Sequence, residues 1–267
     1  MSADLDRIIP LADEGEGTPL FCVHAVSGSA YSYAGLANLL SAERPVLGFE
    51  APGFDDERTP LRSLPALCEE YADTLREFRP AGEILLLGWS MGGVIAFDMA
   101  QRLTAAGVRV ARLVLVDVGL PWVADLPPEK EIQRRFMGDM MGIAGAPPAA
   151  LDAVFAGLPD DVEPEVTFAA VEAAAILPEE IDADMLGDRF VVFRAHIEAL
   201  FAFEVTEKYH GPVVHIMSAD SKPEYMRWDR VATDLTEHIV PGDHHSIWSA
   251  DKLPALAELV RAALAGV

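Results

Sequence analysis

The stretch that most constrains this chain runs from Ile84 to Ala100. Ile84-Leu85-Leu86-Leu87 is a continuous apolar run, the pattern of a strand buried on both faces. Gly88-Trp89-Ser90-Met91-Gly92 follows as G-x-S-x-G, and Val94-Ile95-Ala96-Phe97-Asp98-Met99-Ala100 then starts a helix. Strand, serine-centred turn and helix together are the setting of a nucleophile elbow. A turn this tight puts its serine in a strained backbone conformation. Strand and helix approach too closely for side chains at Gly88 and Gly92, so glycine stands at both. The helix beginning at Met91 aims its free N–H groups and positive dipole end at the serine. A developing oxyanion would be stabilised there.

The flanking chain alternates between strand and helix patterns. Strands are predicted at residues 20–24, 46–50, 112–116, 212–217 and 237–240, with a short edge strand at 7–11. Helices are predicted at 31–40, 63–78, 189–203 and 251–264, and the elbow helix ends at Gly107. Apolar strands alternating with helices predict an α/β fold with a mostly parallel central sheet covered on both faces. Residues 119–188 carry no strand pattern and are too long for an ordinary loop, so an inserted helical lid is predicted there. The Ala/Pro-rich piece 144–150 lies within it. Residues 1–18 read as a lead-in or linker, and one domain spans 1–267.

Composition excludes several functions. Twenty Lys and Arg against 43 Asp and Glu give a formal charge of -23, which repels nucleic acid and anionic membrane surfaces. Cys22 and Cys68 sit in a predicted strand and helix, as core residues and not as a disulfide or metal pair. No apolar run reaches the length of a membrane span, and the acidic start has no apolar leader pattern. A cytoplasmic protein is expected.

A serine needs a base, and the base an orienting acid. Ser90, Asp117 and His244 occur in the order Ser, Asp, His, each just after a predicted strand. Asp220 follows the next strand and competes with Asp117; His245 competes with His244. A metal site at His244-His245 is not expected, since no further His/Cys cluster accompanies the pair. His24, His196, His210, His215 and His238 read as structural or surface residues. The turn after the first strong strand should supply the second oxyanion donor, so the N–H groups of Val26 and Met91 are the candidates.

These blocks together resemble the thioesterase domains of nonribosomal peptide and polyketide synthases, within the α/β-hydrolase superfamily. The resemblance rests on residues 20–33, Gly88-Trp89-Ser90-Met91-Gly92-Gly93, Leu113-Val114-Leu115-Val116-Asp117, Phe193-Arg194-Ala195-His196 and Pro241-Gly242-Asp243-His244. The family more often has asparagine where His196 stands, and His-Pro where this chain has His24-Ala25. The resemblance implies an acyl or peptidyl chain delivered as a thioester on the phosphopantetheine of a carrier-protein domain, with no cofactor bound by the domain itself. Ser90 would take the chain as an ester, and water or an internal nucleophile would release it by hydrolysis or macrocyclisation. A free-standing type II editing thioesterase is the alternative, and a non-catalytic hydrolase-fold binding protein a second.

Within the predicted lid, Ile132, Phe136, Met140 and Ile143 recur at helical spacing, beside Met137 and Met141. That face either packs the lid or lines an acyl channel over Ser90. Phe136 and Met140 are the lining candidates.

Overall fold

The apolar runs become the inner strands of a seven-stranded sheet in a computed structural model that describes residues 5–144 and 148–267. The strands are β1 (Ile8–Ala12), β2 (Leu20–Val23), β3 (Val46–Phe49), β4 (Ile84–Trp89), β5 (Val110–Val116), β6 (Tyr209–Ser218) and β7 (Ala232–Val240). Their order is β1-β3-β2-β4-β5-β6-β7. β1 runs antiparallel to β3, and every other neighbouring pair is parallel.

The helices are α1 (Ala34–Leu40), α2 (Leu64–Phe78), α3 (Met91–Ala105), α4 (Glu129–Ala144), α5 (Pro148–Ala156), α6 (Pro164–Ala173), α7 (Ala183–Phe201) and α8 (Leu253–Ala263). Successive side chains on β4 point to opposite faces of the sheet. Leu86 packs with Leu67, Tyr71, Ile95 and Phe97 of α2 and α3. Leu85 and Leu87 pack with Leu36, Leu40, Leu256 and Val260 of α1 and α8. Because both faces are covered, β4 reads as an unbroken apolar run and not as an alternation. Cys22 and Cys68 are free and buried, and burial pushes both thiols up, away from thiolate chemistry.

Several element boundaries differ from the pattern-based expectation. α7 begins at Ala183, not 189, because the Asp182 carboxylate accepts the Met185 N–H at 2.8 Å and caps an earlier turn. β7 begins at Ala232, not 237; as an edge strand it exposes Thr233, Asp234, Thr236 and Glu237, which carry no apolar signal. Residues 30–33 form a 3₁₀ turn before α1. β1 tolerates Pro10 because it lies at the sheet edge, beside an irregularity in its pairing.

The stretch between β5 and α7 folds as α4, α5 and α6, which share a core with α7. Its buried face is Ile132, Phe136, Met137 and Met141. The Phe136 ring lies 5.6, 5.4 and 5.3 Å from those of Phe168, Phe190 and Phe193. Met140 is half-buried against the same cluster. Residues 1–4 and 145–147, and with them parts of the lead-in and the Ala/Pro-rich piece, lie outside the described residues, as does the Ile143 side chain. No helix among the described residues is long and apolar enough to cross a membrane.

His24, His196 and His215 are fully buried. Burial lowers all three, His24 to about 3 and the other two to about 4, although Asp117 pulls His215 the opposite way. The folded chain refuses protons that the unfolded chain takes up below about 6.5, so stability falls as pH falls through that range. Each such histidine should remove roughly 2 kcal/mol between pH 7 and pH 5. Urea unfolding at the two pH values should therefore show a smaller pH dependence in His215→Gln than in the parent.

Candidate active site

Ser90 sits between β4 and α3 with φ 55 and ψ −131. That is a strained region for a residue with a Cβ, and it projects the side chain from the turn. Its N–H donates to Val116 O at 3.2 Å, and its carbonyl accepts the Gly93 N–H at 3.0 Å. A Cβ at Gly88 would collide with the Gly92 backbone, and one at Gly92 with the carbonyls of Val23 and His24. Tyr33 braces the same region: its buried hydroxyl donates to Val23 O at 2.5 Å and accepts the Trp89 N–H at 2.9 Å.

Asp117 follows β5 with φ 49, and its N–H donates to Ile216 O at 2.7 Å. Its carboxylate is buried and accepts three hydrogen bonds. Ser218 N–H and Ser221 Oγ reach Oδ1 at 2.7 and 2.5 Å, and His244 Nδ1 reaches Oδ2 at 2.7 Å. Burial by itself would raise the carboxyl; the bonds from His244, Ser221 and Ser218 outweigh it and hold Asp117 down at about 2. The rival Asp220 is exposed, and its N–H donates to Gly242 O at 3.1 Å.

His244 and His245 have nearly perpendicular rings, 87° apart. The His244 ring lies 5.0 Å from Trp89, beside the serine turn. His245 turns the other way: its Nε2 meets Asp139 of α4 at 3.2 Å, and its ring fills the space that a Cβ at Gly142 would need. Asp243 stiffens this loop by accepting the Ser246 hydroxyl at 2.7 Å and the N–H groups of His245 and Ser246 at 3.1 Å. Those bonds hold its carboxyl at about 2.

Ser90, Asp117 and His244 border one cavity of about 350 Å³. Its other walls are neutral and mostly apolar, including Leu120, Trp122, Leu200, Phe201, Tyr225 and Met226. Trp122 and Tyr225 stack at 5.5 Å and 15°. Phe136 and Met140 are not among the lining residues of this cavity. The Phe136 ring is enclosed by other phenylalanines in the insertion's own core. The Val26 N–H lies in the turn after β2, and the Val26 carbonyl accepts from His196 Nδ1 at 2.8 Å. Met91 opens α3, so its N–H has no intrahelical acceptor. Sequence reasoning missed Ser218, Ser221, Trp122 and Tyr225. The one available signal was an aromatic residue soon after β5, at the ligand-facing end of a parallel sheet. Among the described residues no group of three His, Cys, Asp or Glu is placed to hold a metal.

Loss of the Asp117 carboxylate should be visible at His244. The hydrogen-bonded Nδ1 proton should give a downfield ¹H resonance that disappears in Asp117→Ala and persists in Asp220→Ala. The reverse result would place the acid one strand later.

Comparison with known proteins bears on this geometry. The family model for the thioesterase domain matches residues 18–264. Enterobactin synthase component F of Escherichia coli (strain K12) is 37% identical over 116 residues, which is 43% of this chain and 9% of that protein. The chain spans between 2% and 13% of the length of eight curated relatives it matches, Enterobactin synthase component F among them. The crystal structure of a four-domain nonribosomal peptide synthetase, bound to AMP and glycine, superposes with TM-score 0.83 at 22% identity, covering 97% of this chain and 20% of that one. The type II thioesterase BorB from the borrelidin biosynthetic cluster superposes with TM-score 0.70 at 17% identity, covering 99% of both. These two structural likenesses show the shared α/β-hydrolase fold.

Proposed function

Since the chain belongs to the thioesterase-domain family, we propose that it releases acyl or peptidyl chains held as thioesters, with Ser90 as nucleophile, His244 as base and Asp117 as orienting acid. The observation that carries this reading is the 2.7 Å bond from His244 Nδ1 to Asp117 Oδ2, on a cavity whose wall also bears the strained elbow serine.

The mechanism follows from the bonds. Asp117 holds the His244 Nδ1 proton, which leaves Nε2 with its lone pair for the Ser90 hydroxyl. Ser90 Oγ attacks the thioester carbonyl as His244 takes its proton. The negative charge on the carbonyl oxygen is met by the N–H groups of Met91 and Val26, with the α3 dipole behind Met91. The intermediate collapses as the C–S bond breaks, and the proton from His244 goes to the leaving thiolate. Water, or a nucleophile within the chain, then attacks the ester as His244 takes its proton; the C–O bond to Ser90 breaks, and His244 returns the proton to Ser90 Oγ. Ser218 and Ser221 keep Asp117 ionised and oriented throughout.

The donor in this reading is the phosphopantetheine thioester of a carrier-protein domain. Nonribosomal peptide synthetases among the matched relatives support that choice. The neutral cavity walls favour an uncharged, apolar acyl group over one bearing a carboxylate or ammonium, which would be buried without a partner. Chain release is the reading favoured over editing of stalled groups, because a cavity walled by Trp122, Phe201 and Tyr225 offers more apolar surface than an acetyl group can use.

Ser90→Ala should abolish the acyl adduct seen by intact-protein mass spectrometry and lower kcat by on the order of 10⁴–10⁶. His244→Ala should be far more damaging than His245→Ala. Carrier-bound peptidyl and acetyl substrates compared side by side separate release from editing; preference for the acetyl carrier would favour editing. An adduct of normal yield on Ser90→Ala would remove Ser90 as nucleophile. Phe136→Ala should lower stability by about 3–5 kcal/mol and leave acyl preference unchanged, whereas Tyr225→Ala should alter preference with little loss of stability.

A further inference from the structure

The mechanism above leaves the three buried histidines unused, and two of them lie against each other. His24 follows β2 and His196 lies on α7; both are fully buried, and their rings stack at 5.0 Å and 13°. His24 Nδ1 lies 2.8 Å from Ala25 O, and His196 Nδ1 lies 2.8 Å from Val26 O. The two rings therefore hold consecutive carbonyls of the turn that presents the Val26 N–H.

The geometry fixes the tautomers. A bare ring nitrogen facing a carbonyl oxygen at 2.8 Å would set two acceptors against each other, so both Nδ1 atoms carry the proton. The Tyr71 hydroxyl has one proton and two acceptors in reach, Glu50 O at 3.2 Å and His24 Nε2 at 2.6 Å; with Nδ1 protonated on His24, the proton goes to the shorter contact, on Nε2. His196 Nε2 is buried and meets no hydrogen-bond partner among the described residues. Two stacked imidazolium ions at this separation would repel, and burial keeps both rings neutral.

Ala25 C=O and Val26 N–H belong to one planar trans peptide and point in opposite directions. Pinning the carbonyl therefore aims the N–H. Gly28 N–H also donates to Ala25 O, at 3.1 Å, from a residue with φ +91 that favours glycine. His196 fixes the next peptide plane, so the turn is clamped on both sides of the Val26 Cα.

We propose that His196 and His24 are positioning residues: a stacked pair that clamps the carbonyls of Val26 and Ala25 and so aims the Val26 N–H at the oxyanion. This rests on Ser90 being the nucleophile. The pair also ties the oxyanion turn to the insertion side, because α7 carries Phe193 and Ile197 into the insertion core and Leu200 and Phe201 onto the cavity.

The test compares His196→Leu, which keeps bulk and loses the donor, with His196→Asn, whose amide can place an N–H near the Nδ1 position. Leu should slow Ser90 acylation by roughly 10- to 100-fold with little change in KM. It should weaken binding of a trifluoromethyl ketone analogue, which forms the oxyanion adduct, and leave binding of the product acid unchanged. Asn should restore most of the rate. Equal loss in both variants, or none in Leu, overturns the proposal. ¹⁵N NMR of the histidine-labelled parent protein gives a second reading that does not depend on any variant folding. It should show Nδ1–H tautomers for His24 and His196, and an Nε2–H tautomer at either ring overturns the clamp. If the parent forms no Ser90 adduct with any thioester, the nucleophile reading fails by itself, and the tautomers still decide the clamp.

Discussion

Everything at this site depends on how closely β4, α3 and β2 approach one another at Gly88 and Gly92. The Gly92 backbone occupies the space that a Gly88 side chain would need, and the Val23 and His24 carbonyls occupy that of a Gly92 side chain. Removing two Cβ atoms thus brings three elements to one point. Ser90 stands in the turn with φ 55, Met91 opens α3 directly after it, and the end of β2 packs against Gly92. Tyr33 then ties Val23 to Trp89 through a single hydroxyl. A side chain at either glycine would cost more than packing, since it would push apart the serine turn and the end of β2, which carry the proposed oxyanion donors.

Charge at the site is local and owes little to the formal total of -23. Most ion pairs here lie on the surface, such as Arg76 with Asp73 and Arg227 with Asp229, and pairs of that kind contribute about 0–1 kcal/mol. Asp117 differs because it is removed from water and given three donors in its place. Its ionisation is secured by neutral hydroxyl and amide groups as well as by His244. The carboxylate therefore has two donors besides His244 that favour its charged form, which suits the orienting role proposed for it.

The parts of this arrangement that were legible in the sequence are those in which one residue type alone satisfies a backbone demand. The elbow shows itself through two glycines around a serine, after a run that can only be a buried strand. Asp117 shows itself by closing the apolar β5. Its choice over Asp220 was open, because both follow strands; the difference lies in the backbone at Asp117, whose φ of 49 and N–H bond to Ile216 turn the carboxylate inward toward the histidine loop. Ser218 and Ser221 left no pattern, since hydroxyls ending a strand are common. The helical stripe in α4 reported the burial of Ile132 and Phe136 but not the partner: periodicity says that Phe136 faces something apolar, and only the tertiary structure shows the rings of Phe168, Phe190 and Phe193 around it, while Met140 is half-buried. Edge strand β7 was half hidden for the opposite reason, because its exposed positions are free to be polar.

The insertion reaches the site at two places that lie on opposite sides of the chemistry. Through α4 it meets His245, by the Asp139 contact and the space left at Gly142, next to the histidine that acts as base in the proposed reaction. Through α7 it meets the Val26 turn, by way of His196, next to the proposed oxyanion donor. Between those contacts stands a core of interlocked phenylalanines shared by α4, α6 and α7. A core packed in this way transmits displacement and does not absorb it. Leu200 and Phe201, at the end of α7, also wall the cavity. In the proposed reaction, an acyl chain pressing on those two residues would bear on the same packed unit that touches both the His245 ring and the Val26 turn. The helices outside the sheet are in this sense part of the proposed site's alignment, although among the described residues none of α4, α5 or α6 lines the cavity.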